Sequence, residues 1–154
     1  MNEKLQILNM IQEGKITVEE ASKLAELMVQ IGKNAGRSMT AILTDMDEPL
    51  GYAIGNQLEV IEAINTLKGN GPKDLTDICL EIGSHLVLDA NKANSLDEAK
   101  ELLKEQISNG NAFKKLVELV EEQCGDTSYV LDTNNFKPAK EIIPVYAKQN
   151  GYVT

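Results

Sequence analysis

DMDEPLGYAIGNQLEVIE, residues 45 to 62, is where this chain makes its most sharply specified backbone move. Asp45 and Asp47 with Pro49 and Gly51 supply turn chemistry, and Gly55 precedes Asn56, whose short polar side chain suits a helix N-cap. Glu59, three residues after Asn56, completes a capping-box spacing, in which two otherwise orphaned N–H groups are satisfied reciprocally. A loop pinned at both ends in this way leaves its carbonyls available to a ligand, and such loops are where binding groups concentrate.

Immediately before this stretch, Thr40 to Thr44 (TAILT) is a short β-prone run, and its economical reading is a buried central strand. Further upstream, Leu5, Leu8 and Ile11 recur at helical spacing and end at Gly14. Thr17 and Glu20 then form a second capping box, opening a helix with Ala21, Leu24, Ala25, Met28 and Ile31 or Gly32 on one face, so residues 1–33 read as a helical hairpin. Downstream, Leu58, Ile61, Ile64 and Leu67 lead to the breaker GNGP at residues 69 to 72. Leu75, Ile78, Cys79, Ile82, Leu86 and Val87 mark the next helix, which Pro72 suits as a starting residue. Ser95 with Glu98 opens another, carrying Ala99, Leu102, Leu103 and Ile107, and Phe113, Leu116, Val117, Val120 and Cys124 form a last apolar stripe before Gly125. Residues 126 to 140 turn to Asp, Asn, Thr, Pro and Lys and read as a surface connection.

The end of the chain is β-prone from Ile142 to Lys148, and Asn150-Gly151 is a strong hairpin signal followed by only three residues. The chain is therefore expected to stop inside a β element. The fold class read from this pattern is an α/β remnant, mainly α: a helical hairpin, one short buried strand, about four helices and a small C-terminal β element. The corresponding domains are 1–33 for the hairpin, 34–140 for a partial α/β domain, and 141–154 for the start of a truncated C-terminal β domain.

At 154 residues the chain is one domain's worth, able to bury roughly two thirds of its unfolded surface. Its formal net charge is −9, and its lysines and arginines are scattered. A basic stripe able to neutralise phosphates is absent, so nucleic acid and anionic membranes are not expected partners. No stretch approaches the ~20 apolar residues of a membrane span, and the expected location is the cytoplasm. Cys79 and Cys124 each fall on the apolar side of a helical pattern, which suits two buried thiols better than a bridge or a metal pair.

Catalytic signatures are sparse. His85 is the only histidine, within GSHLVL, and has no Ser, Cys or acid partner at an obvious catalytic spacing. Neither a phosphate-binding P-loop nor a zinc-ligand cluster occurs. Asp45, Asp47 and Glu48 offer carboxylate oxygens to a hard cation, although an acidic solvated turn is the plainer reading. The loop that follows is the better case: carbonyls near Leu50 and Ala53 precede a helix whose second turn carries Glu62, so two carbonyls and one carboxylate could converge on a monovalent cation. Simple loop packing is the alternative.

Leu24 to Val87, centred on TDMDEPLGYAIGNQLEV, and the terminal YAKQNGYVT resemble the pyrimidine nucleoside phosphorylase, or thymidine phosphorylase, family. The resemblance runs from about Ser22 to Thr154. It implies part of an enzyme that splits a pyrimidine nucleoside with phosphate into base and pentose 1-phosphate, a pentosyl transfer, between a helical domain and a larger α/β domain. The family's phosphate loop, with Lys-His-Ser and a Gly-Gly pair, and its base-binding Arg, Ser and Lys lie N-terminal to the part resembled here. The family's structural potassium site matches Leu50, Ala53 and Glu62, so half of a potassium site is implied, with no catalytic residue among those present. A central strand without neighbours leaves unpaired edges that invite association, so a second copy of the chain is an expected partner, and a complementary phosphorylase fragment is the other. The expected function is that of a partial phosphorylase, inactive alone; a noncatalytic association module or half of a split enzyme is the alternative. Residues before Ser22 resemble a bacterial helical-hairpin module or, more loosely, the family's own first helices joined at a different point.

Overall fold

The computed structural model describes residues 17–44 and 49–149. Among these residues the regular structure is entirely helical: α1 (Val18–Asn34), α2 (Asn56–Leu67), α3 (Lys73–Asp89), α4 (Leu96–Ser108), α5 (Asn111–Glu122), the short α6 (Ser128–Leu131), and a 3-10 turn over Thr133–Asn135. The chain divides into two compact units, residues 1–113 and 114–154.

Local chemistry explains the helix starts. Thr17 accepts from the Glu20 N–H while the Glu20 carboxylate accepts from the Thr17 N–H at 2.9 Å, a complete capping box. Ser95 accepts from the Glu98 N–H, but the Glu98 side chain reaches one residue further back, to the Asn94 N–H at 2.8 Å. At α2 the cap is Gly55 rather than Asn56: its φ of 119° is a conformation for glycine, and Asn56 is already helical. Glu59 still closes the turn by accepting from the Gly55 N–H at 3.0 Å.

In the first unit, Ile64, Leu80 and Ala99 are buried, with Ile64 fully so. Removing its side chain from water contributes about 2 kcal/mol. Helices α3 and α4 pack closely, because Gly83 leaves room for Leu103, whose Cδ1 stands 2.8 Å from where a Gly83 Cβ would be. The same pair is tied by Lys100 Nζ to Glu81 Oε2 at 2.6 Å. The buried hydroxyls are satisfied within their own helices: Thr66 donates to the Glu62 carbonyl and Ser84 to the Glu81 carbonyl. In the second unit, Val130 is buried, and Tyr129 meets Phe136 edge to face with ring centroids 5.1 Å apart.

The α/β expectation is corrected by this architecture. Residues 40–44, expected as a buried strand, are exposed, irregular chain, and so is 142–148, expected to begin a β element. Val145 is 94% exposed and Tyr146 83%. A strand needs a neighbour to take its N–H and C=O groups, and the described residues supply none to either segment, so β propensity alone does not make them strands. The first half of the expected hairpin, the Asn150-Gly151 turn and the acidic residues Asp45, Asp47 and Glu48 lie outside the described residues. Cys79 and Cys124, expected to be buried, are free and exposed. Helical spacing put them on an apolar stripe, but among the described residues nothing covers that part of it.

Candidate functional site

The loop from Pro49 to Gly55 is held by carboxylates from the two helices that follow. The Gly51 N–H donates to Asp74 Oδ2 in the first turn of α3 at 2.8 Å. The Tyr52 and Ala53 N–H groups both donate to Glu62 Oε1 on α2, at 2.9 and 3.2 Å. Three consecutive donors are thus taken by two carboxylates, and Glu59 takes a fourth at Gly55. Hydrogen bonds to ionised acceptors are stronger than neutral ones, which is how a loop with no secondary structure stays fixed.

Electrostatics agree with the geometry. The Gly51 N–H, with a smaller contribution from the Leu75 N–H, holds the Asp74 carboxyl below the usual carboxylate range. Lys73 beside it is raised, chiefly by its hydrogen bond and ion pair with Asp77. Between the loop and the two helices lies an open cleft of about 570 Å³, lined by Tyr52, Ala53, Ile61, Glu62, Asn65 and Lys73 among others.

Of the residues expected to form a cation site, Ala53 and Glu62 share this cleft wall and are joined directly by the Ala53 N–H. Leu50 stands at the start of the loop and is 47% exposed. The donor set, two carbonyls and one carboxylate, is all oxygen, the ligand chemistry of a hard cation. Gly51 keeps the space against the Glu62 carboxylate clear, since a Cβ at that position would overlap it. Oxygen ligands of this kind are what an alkali cation would take, with Leu50, Ala53 and Glu62 as the residues that would hold it. Among the described residues no group of three or more His, Cys, Asp or Glu could hold a metal ion.

Two features were missed by the sequence reading. Asp74 is one: an acid in the first turn of a helix is readable as a favourable dipole contact, but its partner twenty-three residues earlier is not. The other is an acid beside His85, whose Nε2 lies 3.4 Å from Glu81 Oε1 one helical turn back. The Glu-x-x-x-His spacing was a signal for it. Glu81 is committed to Lys100, which lowers its carboxyl more than His85 does. The trio fastens α3 to α4.

Comparison with known proteins gives the site its context. Residues 8–113 match the profile of the glycosyl transferase family, a/b domain. The match begins ahead of Ser22, so part of the segment set apart in the sequence falls within the family too. Pyrimidine-nucleoside phosphorylase of Geobacillus stearothermophilus is 47% identical over 137 residues, 89% of this chain and 32% of that protein. The pyrimidine-nucleoside phosphorylases of Staphylococcus aureus (strain USA300) and Staphylococcus epidermidis are 49% and 48% identical over 138 residues, 90% of this chain and 32% of each. The chain therefore spans about a third of the length of the curated relatives it matches. With more than half of its residues inside the matched a/b domain and close similarity to the phosphorylases throughout, this chain belongs to the glycosyl transferase family.

Proposed function

We propose that these 154 residues supply one wall of a pyrimidine nucleoside phosphorylase a/b domain and carry out no phosphorolysis by themselves. The family reaction, pyrimidine nucleoside plus phosphate to base and pentose 1-phosphate, depends on donors placed around phosphate and the leaving base. The chain contains no Lys-His-Ser and no Gly-Gly sequence. What it keeps is the loop of Leu50 and Ala53 with Glu62, half of a potassium site. The similarity to pyrimidine-nucleoside phosphorylases over 89–90% of the chain is the observation that carries the reading.

Within the same proposal the complementary partner is a phosphorylase fragment bearing the phosphate loop. Free, exposed Cys79 and Cys124 suit a reducing, cytoplasmic setting. Among the described residues no helix is long and apolar enough to cross a membrane. A second reading, a noncatalytic association module, is favoured by the exposed apolar run Ile142, Ile143, Val145 and Tyr146. Incubating the purified chain with uridine or thymidine and inorganic phosphate tests the first reading: no free base is expected, and base release above a phosphate-free control would overturn it.

A further inference from the structure

We infer that Asp74 is a positioning residue for the loop's cation-facing side, setting the direction of the Leu50 carbonyl without itself being a ligand. The inference rests on the proposed half-site of Leu50, Ala53 and Glu62. A peptide unit is planar and, when trans, its C=O points opposite to the N–H of the same unit. No cis bond is present among the described residues. The Leu50 carbonyl and the Gly51 N–H belong to one peptide unit, so the acceptor of that N–H fixes where the carbonyl points. That acceptor is Asp74 Oδ2, at 2.8 Å.

The two carboxylates therefore do different work. Glu62 Oε1, taking the N–H groups of Tyr52 and Ala53, orients the two following peptide units and brings its own charge to the site. Asp74 orients only the unit that carries the Leu50 oxygen, from a different helix. Its bond to Gly51 also turns the Leu50 carbonyl away from Asp74, so the residue that aims this ligand is placed where it does not compete to be one. A first-turn acid engaged only with its own helix would have no such reach. Asp74 is exposed and is not among the buried residues Ile64 and Leu80 that form the core.

The test uses the full chain and its thermal unfolding in KCl against choline chloride of equal ionic strength, for the unsubstituted protein, Asp74→Ala and Asp74→Asn. The unsubstituted chain is expected to melt higher in KCl, with a saturable dependence on concentration. Asp74→Ala is expected to raise the half-saturating KCl concentration about tenfold, the effect of losing one hydrogen bond to a charged group. Asp74→Asn, whose amide oxygen still accepts from Gly51, is expected to stay within about twofold of the unsubstituted chain. A purely structural Asp74 would lower the midpoint equally in both salts and leave the half-saturating concentration unchanged, which overturns the inference alone. Equal midpoints in the two salts for the unsubstituted chain overturn the cation reading and this inference with it.

Discussion

Alanine at Gly51 is expected to cost far more than alanine at Gly36, although both glycines have a φ of 72°. For either, placing a Cβ in the left-handed region costs about 1–2 kcal/mol. Around Gly36 a new Cβ meets nothing within 4 Å, whereas at Gly51 it overlaps the Glu62 carboxylate. Glu62 must swing away, and the Tyr52 and Ala53 N–H groups lose their shared acceptor. Each such bond is worth about 1.5–3 kcal/mol when buried. Because the loop is largely exposed and water can replace the carboxylate, about 1 kcal/mol each is the appropriate scale. Gly51→Ala is then expected to destabilise by about 3–4 kcal/mol and Gly36→Ala by about 1–2, the strain cancelling in the comparison. Urea unfolding followed by far-ultraviolet circular dichroism gives both numbers. A cycle with Glu62→Ala isolates the coupling, expected near 2 kcal/mol, since without the carboxylate the Gly51 substitution retains only its backbone strain. Equal losses at the two glycines, or a coupling close to zero, would refute the carboxylate clamp.

Three further outcomes follow from the same structure. Ile64→Ala, at a fully buried position, is expected to lower unfolding free energy by about 2–5 kcal/mol with an unchanged urea dependence; a loss below about 1 kcal/mol would mean that Ile64 is not core. Because the folded Asp74 carboxyl titrates below its unfolded value of about 3.9, its stabilisation is present above that pH and is lost as pH falls through the folded value. The unsubstituted chain should therefore lose stability more steeply below pH ~4 than Asp74→Asn, as read from unfolding midpoints across an acid series; parallel curves would contradict the Gly51 contact. Cys79 and Cys124, free and exposed, should both react with a thiol reagent in the absence of denaturant, and a thiol that reacts only after unfolding would contradict its placement.

The helices were legible because their signals are local. Thr17 with Glu20 and Ser95 with Glu98 stand at the cap positions the sequence indicates, and apolar residues at spacings of three and four mark α1 to α5. The strands were not, because a strand exists only through pairing with another segment. TAILT and the run from Ile142 have the right residues and, among the described residues, no neighbour. The loop shows the same division. Its Pro, Gly and Asp content announced a turn, and the family resemblance pointed to Leu50, Ala53 and Glu62. The grip of Asp74 on Gly51 and of Glu62 on Tyr52 and Ala53 is set by how α2 and α3 are placed, which short-range spacing does not encode.

The most direct test of the proposed role is phosphorolysis on mixing. This chain would be titrated into a fragment made of the part of the Staphylococcus aureus pyrimidine-nucleoside phosphorylase that this chain does not match, with uridine and phosphate present. Base release is expected from neither component alone and from the mixture in proportion to the limiting chain. Release by this chain alone, or none from the mixture with both chains in high excess over substrate-free background, would contradict the reading of these residues as one wall of a divided phosphorylase site.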